Sequence, residues 1–286
     1  MGTQTPTNFQ HPVDGGVLNP KDKIDTQINA QYVDVTKSAV VLPDVYIQKA
    51  IAYNQEGLYE QAIAQCQQAI EVQPEMAMAY KILGNAQQKI GSASQLQEAK
   101  QNYLKAISLD SQDASIHVNL GSLYAQEELW EKAIPCYQKA IAIKPDFAGA
   151  YRNLAKAWTQ VGKQAEAADC WYEAYTLTPE NITPDQHLNL GNTLCRQGQL
   201  TKAIFCYQKA IKLNPNYTAA YQNLATTLKR QGKVNEAAIY AQKAREISNI
   251  SVKKQVEVNG KKLQYVNPED VLQSYSNSME EVESQK

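Results

Sequence analysis

The chain has 286 residues, a formal net charge of −1 and 43% hydrophobic residues. With positive and negative charge nearly balanced, no global field draws the protein to nucleic acid or to an anionic membrane, and no stretch reaches the 18 apolar residues of a membrane span. The opening residues are polar throughout, without the regions of a secretion signal, and the five cysteines show no CxxC spacing, so a cytoplasmic protein with reduced thiols is expected.

Residues 1–42 carry scattered Pro, Gly, Asn and Asp without a sustained helical period and are predicted as a flexible arm, whose Val-rich end from Tyr32 to Leu42 packs on the first helical segment. A helix start at Pro43-Asp44 opens that segment, with Tyr46, Ala50, Tyr53, Gly57, Ala62, Cys66, Ala69 and Pro74. A second segment carries Tyr80, Leu83, Gly84, Gly91, Ala99, Tyr103 and Ala106. Here Gly91-Ser92-Ala93-Ser94 is expected to lengthen the turn between two helices by three residues. The same spacing returns as His117, Leu120, Gly121, Tyr124, Ala133, Tyr137, Ala140 and Pro145, then as Tyr151, Leu154, Ala155, Trp158, Gly162, Ala167, Trp171, Ala174 and Pro179. It appears again as His187, Leu190, Gly191, Leu194, Gly198, Ala203, Tyr207, Ala210 and Pro215, and a last time as Tyr221, Leu224, Ala225, Leu228, Gly232, Ala237, Ala241 and Ala244. Pro145 and Pro179 stand 34 positions apart, a period that marks a stacked-repeat architecture.

This pattern closely resembles the tetratricopeptide repeat (TPR) family. The resemblance implies an all-α, right-handed superhelical solenoid of six helix-turn-helix repeats, at 43–76, 77–113, 114–147, 148–181, 184–217 and 218–251. Residues 252–286 form an extension in which Val256 to Tyr265 reads as a short β-hairpin around Asn259-Gly260. Asn267-Pro268 then opens an amphipathic helix with Val271, Leu272, Tyr275, Met279 and Val282 on one side, read first as a cap on the last repeat.

On a helical wheel, positions 4, 7, 8 and 11 of each first helix make an apolar stripe, and positions 2, 6, 9 and 13 make a polar stripe opposite. The sixth position is Asn119, Asn153, Asn189 and Asn223 in four successive repeats, although helix propensity gives no reason to choose asparagine. An amide offers both donors and an acceptor, the complement of a peptide group. The resemblance implies that this stripe lines the concave surface and that the asparagines grip the main chain of a bound segment, while part of the family uses them for local structure. The predicted peptide-binding set is Lys81, Asn85, Asn119, Ser122, Arg152, Asn153, Lys156, Asn189, Asn192, Arg196, Asn223 and Arg230. Lys81, Asn85 and Asn119 match three places of the family's clamp for C-terminal carboxylates, but Gly149 and Asn153 stand where it needs Lys and Arg. A standard clamp is therefore not expected; a preference for acidic, extended segments is.

His117 and His187 occupy the packing place of Tyr46, Tyr80, Tyr151 and Tyr221, and no catalytic, phosphate-binding or metal motif is present, so neither enzyme activity nor a cofactor is expected. The expected function is a non-catalytic adaptor whose concave groove binds an extended or helical segment of another protein. The alternatives are the substrate-selecting arm of a glycosyltransferase- or methyltransferase-type complex and an assembly factor or co-chaperone. RNA binding is disfavoured because the polar stripe lacks stacking aromatics after the first repeat. The acidic segment Met279-Glu280-Glu281-Val282-Glu283 suggests self-association or autoinhibition through the C-terminal helix, and the Gln- and Ala-rich repeats suggest a bacterial source.

Overall fold

The computed structural model describes residues 19–32 and 42–258, which divide into two compact units, one ending at Pro179 and the other beginning at Glu180. Every regular element among the described residues is a helix. In the first unit these are α1 (Pro20–Tyr32), α2 (Pro43–Gln55), α3 (Tyr59–Val72), α4 (Ala77–Ile90), α5 (Ala93–Leu109), α6 (Ala114–Gln126), α7 (Trp130–Ile143), α8 (Ala148–Gln160) and α9 (Gln164–Leu177). The second unit contains α10 (Pro184–Arg196), α11 (Leu200–Leu213), α12 (Thr218–Arg230) and α13 (Val234–Val258).

Helices pair into antiparallel hairpins, α2 with α3, α4 with α5, α6 with α7 and α8 with α9 in the first unit, and α10 with α11 and α12 with α13 in the second. Within the first unit the leading helices α2, α4, α6 and α8 also touch in succession, so their outward stripes lie side by side. The turn inside each hairpin requires a left-handed residue. Gly57, Gly162, Gly198 and Gly232 supply it at φ 76° to 88°, and Glu128 takes the same place at φ 59°.

The close approach of paired helices has a specific cause. At Gly84, Gly121 and Gly191 an added Cβ would lie 2.7, 2.7 and 2.6 Å from the ring of Tyr103, Tyr137 and Tyr207 respectively. Where this place is Ala50, Ala155 or Ala225, the residue at the repeat position of that tyrosine is Cys66, Trp171 or Ala241 instead, so tyrosine and glycine occur together in the sequence.

Three expectations change. Residues 20–32 are helix, not a flexible arm: the Asn19 side chain accepts from Asp22 N at 3.0 Å and Pro20 opens the first turn. Ile24 is buried against Tyr53, whose hydroxyl donates to Asp25 at 2.6 Å, so a tertiary contact replaces the missing period. The insertion after Gly91 does not lengthen the turn. Ser92 caps at once by accepting from Gln95 N, and the extra residues extend α5 to 17 residues. Finally α13 runs through Ser251 to Val258, so the first expected strand, Val256 to Val258, is helical. No proline or glycine interrupts the run from Val234 to Val258, and Asn249 stands where earlier repeats carry proline. The Tyr32 to Leu42 packing, the rest of the hairpin and the amphipathic helix fall largely or wholly outside the described residues.

Candidate functional site

Two adjoining clefts lie along the leading helices of the first unit. The first, about 570 Å³, is lined by Ile51 and Gln55 of α2, by Ile82, Asn85 and Lys89 of α4 and by Asn119, Ser122 and Gln126 of α6, with Asn54 and Gln88 beside them. The second, about 370 Å³, shares Ser122 and Gln126 and adds Asn153, Lys156 and Gln160 of α8, with Ala125, Trp130 and Tyr137. Positions 6, 9 and 13 thus face the clefts as the wheel requires. Position 2 does not line them, and position 12, which supplies Asn54, Gln88 and Ala125, does. Position 12 sits about a quarter-turn off the predicted stripe and reaches the wall only because the next leading helix packs beside it.

The asparagines have a first task inside the fold. Asn119 Nδ2 donates to Asn85 Oδ1 at 2.7 Å, and Asn153 Nδ2 donates to Ser122 Oγ at 3.3 Å. In the second unit Asn223 Nδ2 donates to Asn192 Oδ1 at 2.7 Å. Each acceptor also receives a tyrosine hydroxyl from the paired helix: Tyr103 at 2.8 Å, Tyr137 at 3.4 Å and Tyr207 at 2.9 Å. Burial raises the pKa of all three phenols, which keeps them neutral donors.

These bonds fix amide orientation. Asn85 accepts twice at Oδ1 and therefore turns its Nδ2 protons away from both partners, while Asn119 and Asn153 each retain Oδ1 and one N–H beyond the bond they make. The half-buried asparagines thus join neighbouring repeats and still present polar atoms. Asn189 is exposed.

The cations on these helices divide. Lys89 and Lys156 are the only charged residues among those lining the two clefts, and both are exposed. Lys81 does not line either cleft. Its Nζ lies 2.8 Å from Asp113 Oδ2, with side chains 16% and 25% exposed, and 3.5 Å from Ser115 Oγ. Burial alone would raise the Asp113 pKa, but the bonds from Lys81 and Ser115 outweigh it and hold the carboxyl below its ordinary range. Asp113 also caps α6 by accepting from Ser115 N, so Lys81 serves a junction between repeats. Arg152 donates to Thr178 Oγ1 at 3.0 Å, and Arg196 to Thr193 Oγ1 at 3.3 Å. Arg230 Nη1 lies 3.2 Å from the Cys195 carbonyl and 2.9 Å from its sulfur.

His117 and His187 are buried, and burial with nearby Lys209 lowers the His187 pKa. Burial also pushes the Cys66 and Cys206 thiols up to about 12, which makes them packing groups rather than nucleophiles.

Profiles described as tetratricopeptide repeat or TPR repeat match residues 43–76, 92–128, 114–147, 191–232 and 218–252. The chain is a tetratricopeptide repeat protein. Among curated proteins none matches the sequence. Solved structures similar to this TPR chain include one described as the functional characterisation of Pseudomonas aeruginosa pilF, 22% identical over 77% of this chain and 97% of that one, with a TM-score of 0.48. YrrB, described as a TPR protein with an unusual peptide-binding site, is 21% identical over 66% of this chain and 97% of its own, with a TM-score of 0.45. MamA is 22% identical over 71% and 96%, with a TM-score of 0.37. As in TPR proteins generally, the repeats form a scaffold for protein–protein interaction. No helix among the described residues is long and apolar enough to cross a membrane.

Proposed function

We propose that this TPR protein is a non-catalytic adaptor that receives an extended, acidic segment of another protein along the leading helices of its first unit. The observation that carries the reading is the lining of the two clefts: amides from successive repeats, two lysines and no carboxylate. Amides held in fixed orientation suit a peptide backbone of any sequence, and lysines without acids beside them favour acidic side chains. Lys81 contributes little to such a grip because Asp113 already neutralises it. The recruiting surface therefore differs from a carboxylate clamp, and Lys89 and Lys156 take the electrostatic part.

The test is titration of a fluorescein-labelled acidic peptide, Ser-Glu-Leu-Glu-Glu-Ser, against the full chain and against Asn85→Ala/Asn119→Ala/Asn153→Ala. At roughly 1 kcal/mol for each lost hydrogen bond, three amides correspond to an affinity loss on the order of 100-fold. Circular dichroism on the variant accounts for the inter-repeat bonds that it also loses. An unchanged affinity rules out the amides as the grip.

A further inference from the structure

We infer that the α2–α4 end of the first cleft is a side-chain pocket that selects an aliphatic residue next to the acidic ones; this rests on the groove reading above. Equivalent junctions between repeats differ at this end. Wherever two leading helices of the first unit meet, the ninth position of one faces the sixth of the next. Between α4 and α6 this pair is Asn85 and Asn119, and between α6 and α8 it is Ser122 and Asn153, both hydrogen-bonded. Between α2 and α4 the same two places hold Ile51 and Ile82.

The exchange is consistent through the repeat. Tyr103 and Tyr137 donate to the polar ninth residues, whereas the first repeat has no acceptor there and carries Cys66 in place of a tyrosine. Ile82 is 4% exposed and belongs to the core cluster with Ile47, Ala50 and Cys66, while half-buried Ile51 packs on that cluster at the cleft. Asn54 Nδ2 donates to the Ile82 carbonyl at 3.3 Å and ties α2 to α4 across this floor. The cleft therefore offers two isoleucines at its α2 end, beside Asn54 and Gln55, and amides without an isoleucine at its α6 end. Lys89 stands among its lining residues without a carboxylate partner among the described residues. A segment that satisfies both halves carries a Leu, Ile, Val or Met side chain against Ile51 and Ile82, a flanking Glu or Asp toward Lys89, and main chain along Asn85 and Asn119. Charge complementarity and the apolar floor together point to a partner protein with acidic residues around one aliphatic residue.

The experiment compares Ser-Glu-Leu-Glu-Glu-Ser with Ser-Glu-Ser-Glu-Glu-Ser, each fluorescein-labelled, on the full chain by anisotropy. Moving a leucine side chain from water onto the floor is expected to give the first peptide roughly tenfold tighter binding. The variant Ile51→Ser/Ile82→Asn reproduces the pair found between α6 and α8, and it is expected to bring the two peptides within about twofold of each other. Ile51→Thr keeps the β-branched shape at a half-buried site and is expected to narrow the gap with little effect on folding. Equal affinity of the two peptides for the wild-type chain, with both weakened by the triple asparagine variant, overturns the pocket and keeps the groove. A leucine preference that survives both isoleucine variants overturns the pocket and leaves these isoleucines as repeat-to-repeat packing only. Binding of neither peptide overturns both readings.

Discussion

Replacing Gly84 with alanine tests whether tyrosine and glycine are linked across the helical hairpin. On propensity alone Gly84→Ala stabilises α4 by about 1 kcal/mol, because glycine in a helix interior is penalised. Against this, the new Cβ would sit 2.7, 2.9 and 3.2 Å from three ring atoms of Tyr103. The ring is 0% exposed, and its hydroxyl lies 2.8 Å from Asn85 Oδ1 and 2.9 Å from Gln88 Oε1, so it has no free direction in which to turn. Overpacking of this kind costs about 1–3 kcal/mol, and a fully enclosed, doubly bonded ring belongs at the upper end, so the net expectation is a loss of about 2 kcal/mol. Urea unfolding followed by circular dichroism reads the change, with Tyr103→Cys as the second background because the first repeat pairs Ala50 with Cys66. In that background Gly84→Ala is expected to stabilise by its propensity gain of about 1 kcal/mol, a coupling of about 3 kcal/mol. Stabilisation of equal size in both backgrounds would refute the steric account.

The other predictions concern charge and the chain end. Asp113 has a folded pKa below its unfolded one, so the stability it contributes is present above about pH 4 and is lost as pH falls through the folded value. Asp113→Asn is therefore expected to lower stability at neutral pH and to flatten the acid limb of a stability-versus-pH curve. An unchanged acid limb would show that the Lys81 pair contributes nothing. Removal of residues 267–286, which include the acidic run Glu280, Glu281 and Glu283, is expected to tighten binding of the leucine-bearing peptide if that run competes for the clefts. Equal affinity of the truncated and full chains in the same anisotropy assay would reject autoinhibition.

What the sequence alone determined was the repeat. A spacing of small and aromatic residues at helical period reports which faces must be buried against one another, and such a face has few ways to be covered, so the hairpins were legible without coordinates, whereas the seating of a glycine beneath each of Tyr103, Tyr137 and Tyr207 was shown only by the structure. The recurrence of asparagine at one position was legible too, but its bonding was not. Whether an amide bonds a neighbouring repeat or solvent depends on which atom the adjacent helix presents, and only the structure shows Asn85 and Ser122 waiting for Asn119 and Asn153. The same reason separates Lys81 from Lys89. Both are lysines on one helix, yet the start of α6 brings Asp113 to the first and leaves the second at the cleft. Helix α1 is the converse case, since its sequence lacks a helical stripe and its place is held by Ile24 and Asp25 against Tyr53. Periodicity records burial that repeats along the chain; contacts made once, between residues far apart in sequence, leave no period to read and are decided by the tertiary structure.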